Sequence, residues 1–239
     1  QHDSTHAIVL MQRDLEEVIL NIWDFAGQDI YHATHRLFMQ TRALFVLVWD
    51  IENENNAAHQ WQGKSYKNEK LLYWLEYAQC FGQGSPIVVL QNKVDTEADR
   101  PKKLPKALIR QFQAEYPVAH FLQISPKSNW GFFRLEEKLK EVFQTNEMLR
   151  THLQQDLPTA WINIRTIIRD LQTNEQKTMT VEAFQAICKA EEVEASAATI
   201  LDYFHNTGVF YYKSGYFDNQ ILLKQEWAIE AIYRVLDRE

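Results

Sequence analysis

The sequence predicts an α/β fold: a mostly parallel sheet with flanking helices, followed by a smaller, helical, winged-helix-like unit. Three observations lead there. Apolar runs alternate with helix-patterned stretches over the first 150 residues, the pattern that layers helices on a sheet. Two of the runs, Val18 to Trp23 (broken only by Asn21) and Ala43 to Trp49, carry apolar side chains on both faces, as strands buried on both faces do. Three runs stop at short polar motifs, and a strand-end position is the context that gives such motifs meaning.

Strands read at about 6–12, 17–23, 43–50, 86–91 and 121–125, and helices at about 66–81, 102–115 and 133–148. The run Val18 to Trp23 enters Asp24-Phe25-Ala26-Gly27-Gln28, a D-x-x-G. In nucleotide switches that Asp holds Mg²⁺ through a water and the Gly amide bonds a γ-phosphate. The run Pro86 to Leu90 enters Asn92-Lys93-Val94-Asp95, an N-K-x-D. A carboxylate there can accept from both N1–H and the N2 amino group of guanine, a pairing adenine cannot offer. The Asn supports the loop, and the Lys stem can lie across base and sugar. The run Phe121 to Ile124 enters Ser125-Pro126-Lys127, an S-x-K that fits behind such a base. The stretch from Gln144 to Pro158 is polar, so a boundary falls near 150 and divides the chain into 1–150 and 151–239.

Residues 159–171, 181–190, 195–206 and 224–236 read as helices, with Thr180 as an N-cap and Gly208 as a stop. Between the last two, Val209-Phe210-Tyr211-Tyr212 is expected to turn at Ser214-Gly215 and return along Tyr216-Phe217. Helix, helix, hairpin raises DNA binding. However, the third helix has no Lys or Arg, and residues 151–239 hold 8 basic and 13 acidic side chains. Phosphate contacts need cations, so a protein-interaction role is expected.

The stretch from Trp23 to Met39 (WDFAGQDIYHATHRLFM) resembles switch II of Roc domains, the Ras-like GTPase domains of Roco proteins. The end, Leu222-Leu223-Lys224-Gln225-Glu226-Trp227 with Tyr233-Arg234-Val235-Leu236, resembles the COR segment that follows Roc in that family. The resemblance implies a guanine-nucleotide-binding switch that hydrolyses GTP slowly, with Mg²⁺ and GTP or GDP bound and COR coupled to switch II. It assigns Gly27, Asn92, Lys93, Asp95, Ser125 and Lys127 to the nucleotide, and Thr5 (as the switch I Thr) and Asp24 to Mg²⁺. Gln28 takes the place of the Gln that orients attacking water. Arg42 stands where an Arg faces COR. The H-x-x-H of His32 and His35 belongs to the switch segment rather than to a metal site. Homodimerisation belongs to the later half of COR in the parent protein.

A Ras-like site also needs a P-loop, G-x-x-x-x-G-K-[ST], and the first of the seven glycines is Gly27. Gly63-Lys64-Ser65 is a decoy: Ala58 stands where the first Gly belongs, and a polar loop leading into a helix is expected there. Gln1, with no Met, reads as the start of an internal segment. Without the central strand that precedes a P-loop, the strands ending at Asp24 and Asp50 are expected to lie roughly 10 Å apart. Either residues upstream fill that slot or the domain is rearranged. A nucleotide-free scaffold is the alternative function.

With 239 residues there is room for two units. The longest apolar run is too short for a membrane span. Two distant cysteines, Cys80 and Cys188, suit a reduced cytoplasmic setting, and a net charge of −7 disfavours nucleic-acid and anionic-membrane partners.

Overall fold

The computed structural model describes residues 8–15, 18–25, 39, 43–61, 64–153, 157–193 and 195–236. They form two compact units, one comprising residues 28–155 and the other residues 1–27 with 156–239.

The first unit is α/β, as expected. β3 (Phe45–Trp49), β6 (Ile87–Gln91) and β7 (Val118–Gln123) form a parallel sheet in the order β3-β6-β7. All five residues of β6 are buried, which is why its sequence is unbroken Ile, Val and Leu before Gln91. One face packs Val89, Phe112 and Trp49 with Leu71 and Leu75 of α2 (Leu71–Phe81) and the apolar stripe of α3 (Lys106–Glu115). The opposite face packs Val88, Leu90 and Leu122 with Val142 of α4 (Phe132–Thr145) and Leu149 of α5 (Glu147–Leu153).

β3 is the sheet edge among the described residues. Val46 pairs with Val88 and Val48 with Leu90. Val88 and Leu90 are covered, whereas Val46 is 42% and Val48 63% exposed. The strand therefore carries the apolar pattern of a central position in an edge position. β2 does not join it: Val18–Phe25 pairs antiparallel with β1 (Ile8–Leu15) as a separate two-stranded sheet. Among the described residues, the sheet is not completed across the slot that a P-loop strand fills.

Between β3 and α2 only a polar loop and the start of a helix near 66 were expected, but three short elements occur. Asp50 caps α1 (Ile51–Asn55), its carboxylate accepting from Glu52 N and Asn53 N. β4 (Ala58–Trp61) then pairs with β5 (Lys64–Lys67). Lys64 and Ser65 thus stand in a hairpin, and neither the expected polar loop nor a phosphate-binding strand-to-helix turn occurs at Lys64–Lys67. Helix α2 begins at Leu71 rather than near 66.

The second unit packs α6 (Thr159–Thr173), α7 (Val181–Ala190) and α8 (Ala197–Asn206) around one core. Trp161, Ile164 and Ile168 line one stripe of α6, Phe184 and Cys188 one stripe of α7, and Ile200, Leu201 and Phe204 one stripe of α8. Thr180 Oγ1 accepts from Ala183 N, and Ser196 Oγ from Thr199 N, so both helices start on side-chain caps. Gly208, at φ +72°, follows α8 in the left-handed conformation that ends helices.

The aromatic hairpin differs from expectation. Tyr211 exchanges both backbone hydrogen bonds with Leu222, and β8 (Thr178–Met179) pairs with β9 (Ile221–Leu222). Phe217, Asp218 and Asn219 all have positive φ and form a 3₁₀ turn before α9 (Gln225–Leu236). Left-handed residues cannot continue a strand, so the return falls at Ile221–Leu222 and not at Tyr216–Phe217. The β1–β2 hairpin belongs to this unit, and Asn21 Nδ2 donates to the Thr207 carbonyl at 3.3 Å. Among the described residues, no helix is long and apolar enough to cross a membrane.

Candidate functional site

The two parallel strands β6 and β7 deliver their following loops side by side. Asn92 N donates to the Trp49 carbonyl at 2.7 Å, Ile124 N to Gln91 O at 2.8 Å and Val94 N to Ile124 O at 3.3 Å. The N-K-x-D and S-x-K loops are therefore stitched together by backbone hydrogen bonds. Lys93 turns through φ +61°, and its N–H donates to Asn92 Oδ1 at 2.7 Å. Asn92 Oδ1 thus accepts from the backbone of its own loop.

Asp95 and Ser125 meet directly. Ser125 is fully buried, and its hydroxyl donates to Asp95 Oδ1 at 2.6 Å while accepting from Ser128 N at 3.1 Å. A carboxylate offers about four lone-pair directions, so this bond fixes the Asp95 rotamer and leaves acceptor capacity for two N–H donors. Lys127 Nζ lies 3.9 Å from Asp95 Oδ2 on a largely exposed side chain, a distance at which an exposed pair contributes little stability.

Sequence reasoning missed the partners of Lys93. Its ammonium sits 3.1 Å from Asp50 Oδ2 and 3.2 Å from Glu52 Oε2. Burial works against the Lys93 charge, but hydrogen bonding and attraction to Asp50 and Glu52 outweigh it and raise its pKa. Asp50, itself buried, links the α1 cap to the N-K-x-D loop. The available signal was an Asp at the end of an apolar run, two residues before Glu52.

Gly131 closes the S-x-K turn and precedes α4. At φ +88°, an added Cβ would stand 2.3 Å from the Gln123 carbonyl oxygen. Gly131→Ala is therefore expected to lower stability by about 1–3 kcal/mol and to shift the Ser125 and Lys127 amide resonances. Thermal unfolding with an amide spectrum checks both.

Asp24 is the penultimate residue of β2 and is exposed, in the unit that does not contain the N-K-x-D and S-x-K loops. Thr5, Gly27, Gln28, His32, His35 and Arg42 lie outside the described residues. Among the described residues, no cluster of three His, Cys, Asp or Glu could hold a metal.

Residues 1–95 match the family described as "Ras of Complex, Roc, domain of DAPkinase", and residues 158–239 match "C-terminal of Roc, COR-A domain". The "Probable serine/threonine-protein kinase roco5" of Dictyostelium discoideum is 25% identical over 237 residues, covering 92% of this chain and 8% of its own length. The "Ras-related protein Rab-44" of Homo sapiens is 34% identical over 83 residues, 34% of this chain and 7% of its own. The chain thus spans under a tenth of these relatives. Among solved structures, Methanosarcina barkeri Roco2 RocCORdC bound to GDP superposes with a TM-score of 0.76 at 27% identity, covering 98% of this chain and 67% of that one.

Proposed function

Since the chain belongs to the Roco family, carrying its Ras-like Roc domain and its COR-A domain, we propose that it is the base-reading and COR-coupling part of a guanine-nucleotide switch. We divide it at 150 into the Roc part and the first part of COR. The observation that carries the reading is the Asp95 carboxylate, held by buried Ser125 beside Lys127 with acceptor capacity to spare. A solved relative bound to GDP adds support.

In this reading Asn92 and Lys93 shape the base loop, Asp95 accepts from guanine, and Ser125 and Lys127 back it. Asp24 and Thr5 would hold Mg²⁺, which when bound neutralises developing charge on the transferred phosphoryl group. The Gly27 amide would bond the γ-phosphate. Gln28 would orient attacking water, with slow hydrolysis and with COR reading the switch through Arg42. The parent protein would act in the cytoplasm, with homodimerisation outside these residues.

The bare edge of β3 favours a second reading for these 239 residues alone: a Roc–COR scaffold that works through protein contacts. Titration with fluorescent GDP and Mg²⁺ decides. The switch reading expects saturable binding by a longer parent polypeptide in which a P-loop strand precedes residue 1, with weak or no binding by the 239 residues themselves. No binding by either form overturns it and leaves the scaffold.

A further inference from the structure

Behind the N-K-x-D and S-x-K loops, on the α3 side of β6 and β7, lies a cavity of about 500 Å³. None of Asn92, Lys93, Asp95, Ser125 and Lys127 lines it. We propose that this cavity is a second ligand site, one that takes a small aromatic anion such as an aryl phosphate or aryl carboxylate.

Charge comes first. Three ionisable side chains line the cavity, Lys103, Lys106 and Arg134, and all three are cations. Among the described residues none of them has a carboxylate within ion-pair distance. In a chain of net charge −7, a wall with three cations and no acid departs from the average surface. It concentrates positive potential where a low-dielectric floor strengthens it. Arg134 offers a planar fork suited to phosphate or carboxylate.

The floor sets the other half of the ligand. Trp49 and Val89 are buried beneath the cavity, and Trp130 and Phe133 stand at its wall. The Trp130 ring is fixed by the Arg100 guanidinium, 4.7 Å from its centroid. Phe133 is 78% exposed, a costly position for a ring with nothing to cover. A cavity of this volume is within the range of small-ligand sites, which favours a small molecule over a peptide.

The far wall is braced. Gln91 donates to the Lys102 carbonyl, and Gln123 Nε2 donates to Gln91 Oε1 at 3.2 Å and to Arg100 O at 3.1 Å. The loop that presents Lys103 is thus tied to the same two strands that end in the base-reading loops. The site does not depend on the guanine reading and can be tested without nucleotide.

The test is titration of the whole chain with phenyl phosphate at low salt, followed by amide NMR and calorimetry. Inorganic phosphate, benzyl alcohol and an acidic peptide containing Phe serve as comparison probes. The proposal expects saturable shifts at Gln91, Gln123 and Trp130, and weaker binding of both the ringless and the uncharged probe. Lys103→Gln and Arg134→Gln are each expected to weaken phenyl phosphate about tenfold, while Lys189→Gln, in the other unit, leaves it unchanged. All three positions are exposed, so folding is preserved. Non-saturating shifts, binding indifferent to Lys103→Gln and Arg134→Gln, or binding of the peptide but not of phenyl phosphate would each overturn it.

Discussion

Asp95→Asn is expected to exchange the base preference of the nucleotide-binding polypeptide from guanine to xanthine. In the switch reading the carboxylate would accept two hydrogen bonds from guanine, and each charge-assisted bond is worth about 1.5–3 kcal/mol. The Asn amide keeps one acceptor but turns the other oxygen into a donor, which faces the guanine amino group. GDP affinity should fall by about two to four orders of magnitude. Xanthine carries a carbonyl where guanine carries that amino group, so the new N–H₂ has a partner and XDP should gain. The loop itself has reason to survive: the Ser125 hydroxyl donates to Asp95 Oδ1, and an amide oxygen can still accept that bond, though more weakly than a carboxylate. Paired titrations with fluorescent GDP and XDP check the ratio. Equal weakening of both nucleotides would mean that Asp95 supports the loop and does not read the base.

The N-K-x-D and S-x-K loops were legible because they sit at the ends of strands with unambiguous patterns. Ile87 to Leu90 is apolar at every position, which only a central parallel strand supports, and N-K-x-D follows at once. The helices of the second unit were legible for a related reason: Thr180 and Ser196 are strong capping residues ahead of clear 3.6-residue stripes. The β4–β5 hairpin was not, since Ala58-His59-Gln60-Trp61 lacks both alternation and a run of β-branched residues. Nor was the clasp of Lys93 by Asp50 and Glu52, which joins residues about forty apart in sequence through side chains alone. The return strand was misplaced because Tyr216 and Phe217 have strong β-propensity, while the left-handed turn at Phe217–Asn219 is dictated by tertiary context. Gly27 was read from its D-x-x-G motif and Gln28, Thr5 and Arg42 from family resemblance, and all four lie outside the described residues.

Phe204→Ala is expected to cost the second unit about 3–5 kcal/mol, a large share of the 5–15 kcal/mol typical of a domain. Phe204 is fully buried at the centre of an aromatic cluster. Its ring centroid lies 5.9 Å from Phe210, 6.4 Å from Trp161 and 6.5 Å from Phe184, each edge-to-face. These neighbours come from three separate elements, so no single one can shift to fill the space without leaving its own partners. The cavity therefore persists, and its cost adds to the lost burial. Because the two units have separate cores, the loss should be uneven: the second unit should unfold first, leaving the parallel sheet and its base loops folded. Urea unfolding followed by near-ultraviolet circular dichroism and by the amide resonances of Phe204's neighbours and of Val88–Leu90 distinguishes the two. Phe204→Leu, which keeps most of the volume, should cost less than half as much. A single shared transition in Phe204→Ala would show that the two cores fold as one cooperative body, and a cost under about 1 kcal/mol would show that the aromatic cluster can collapse around the gap.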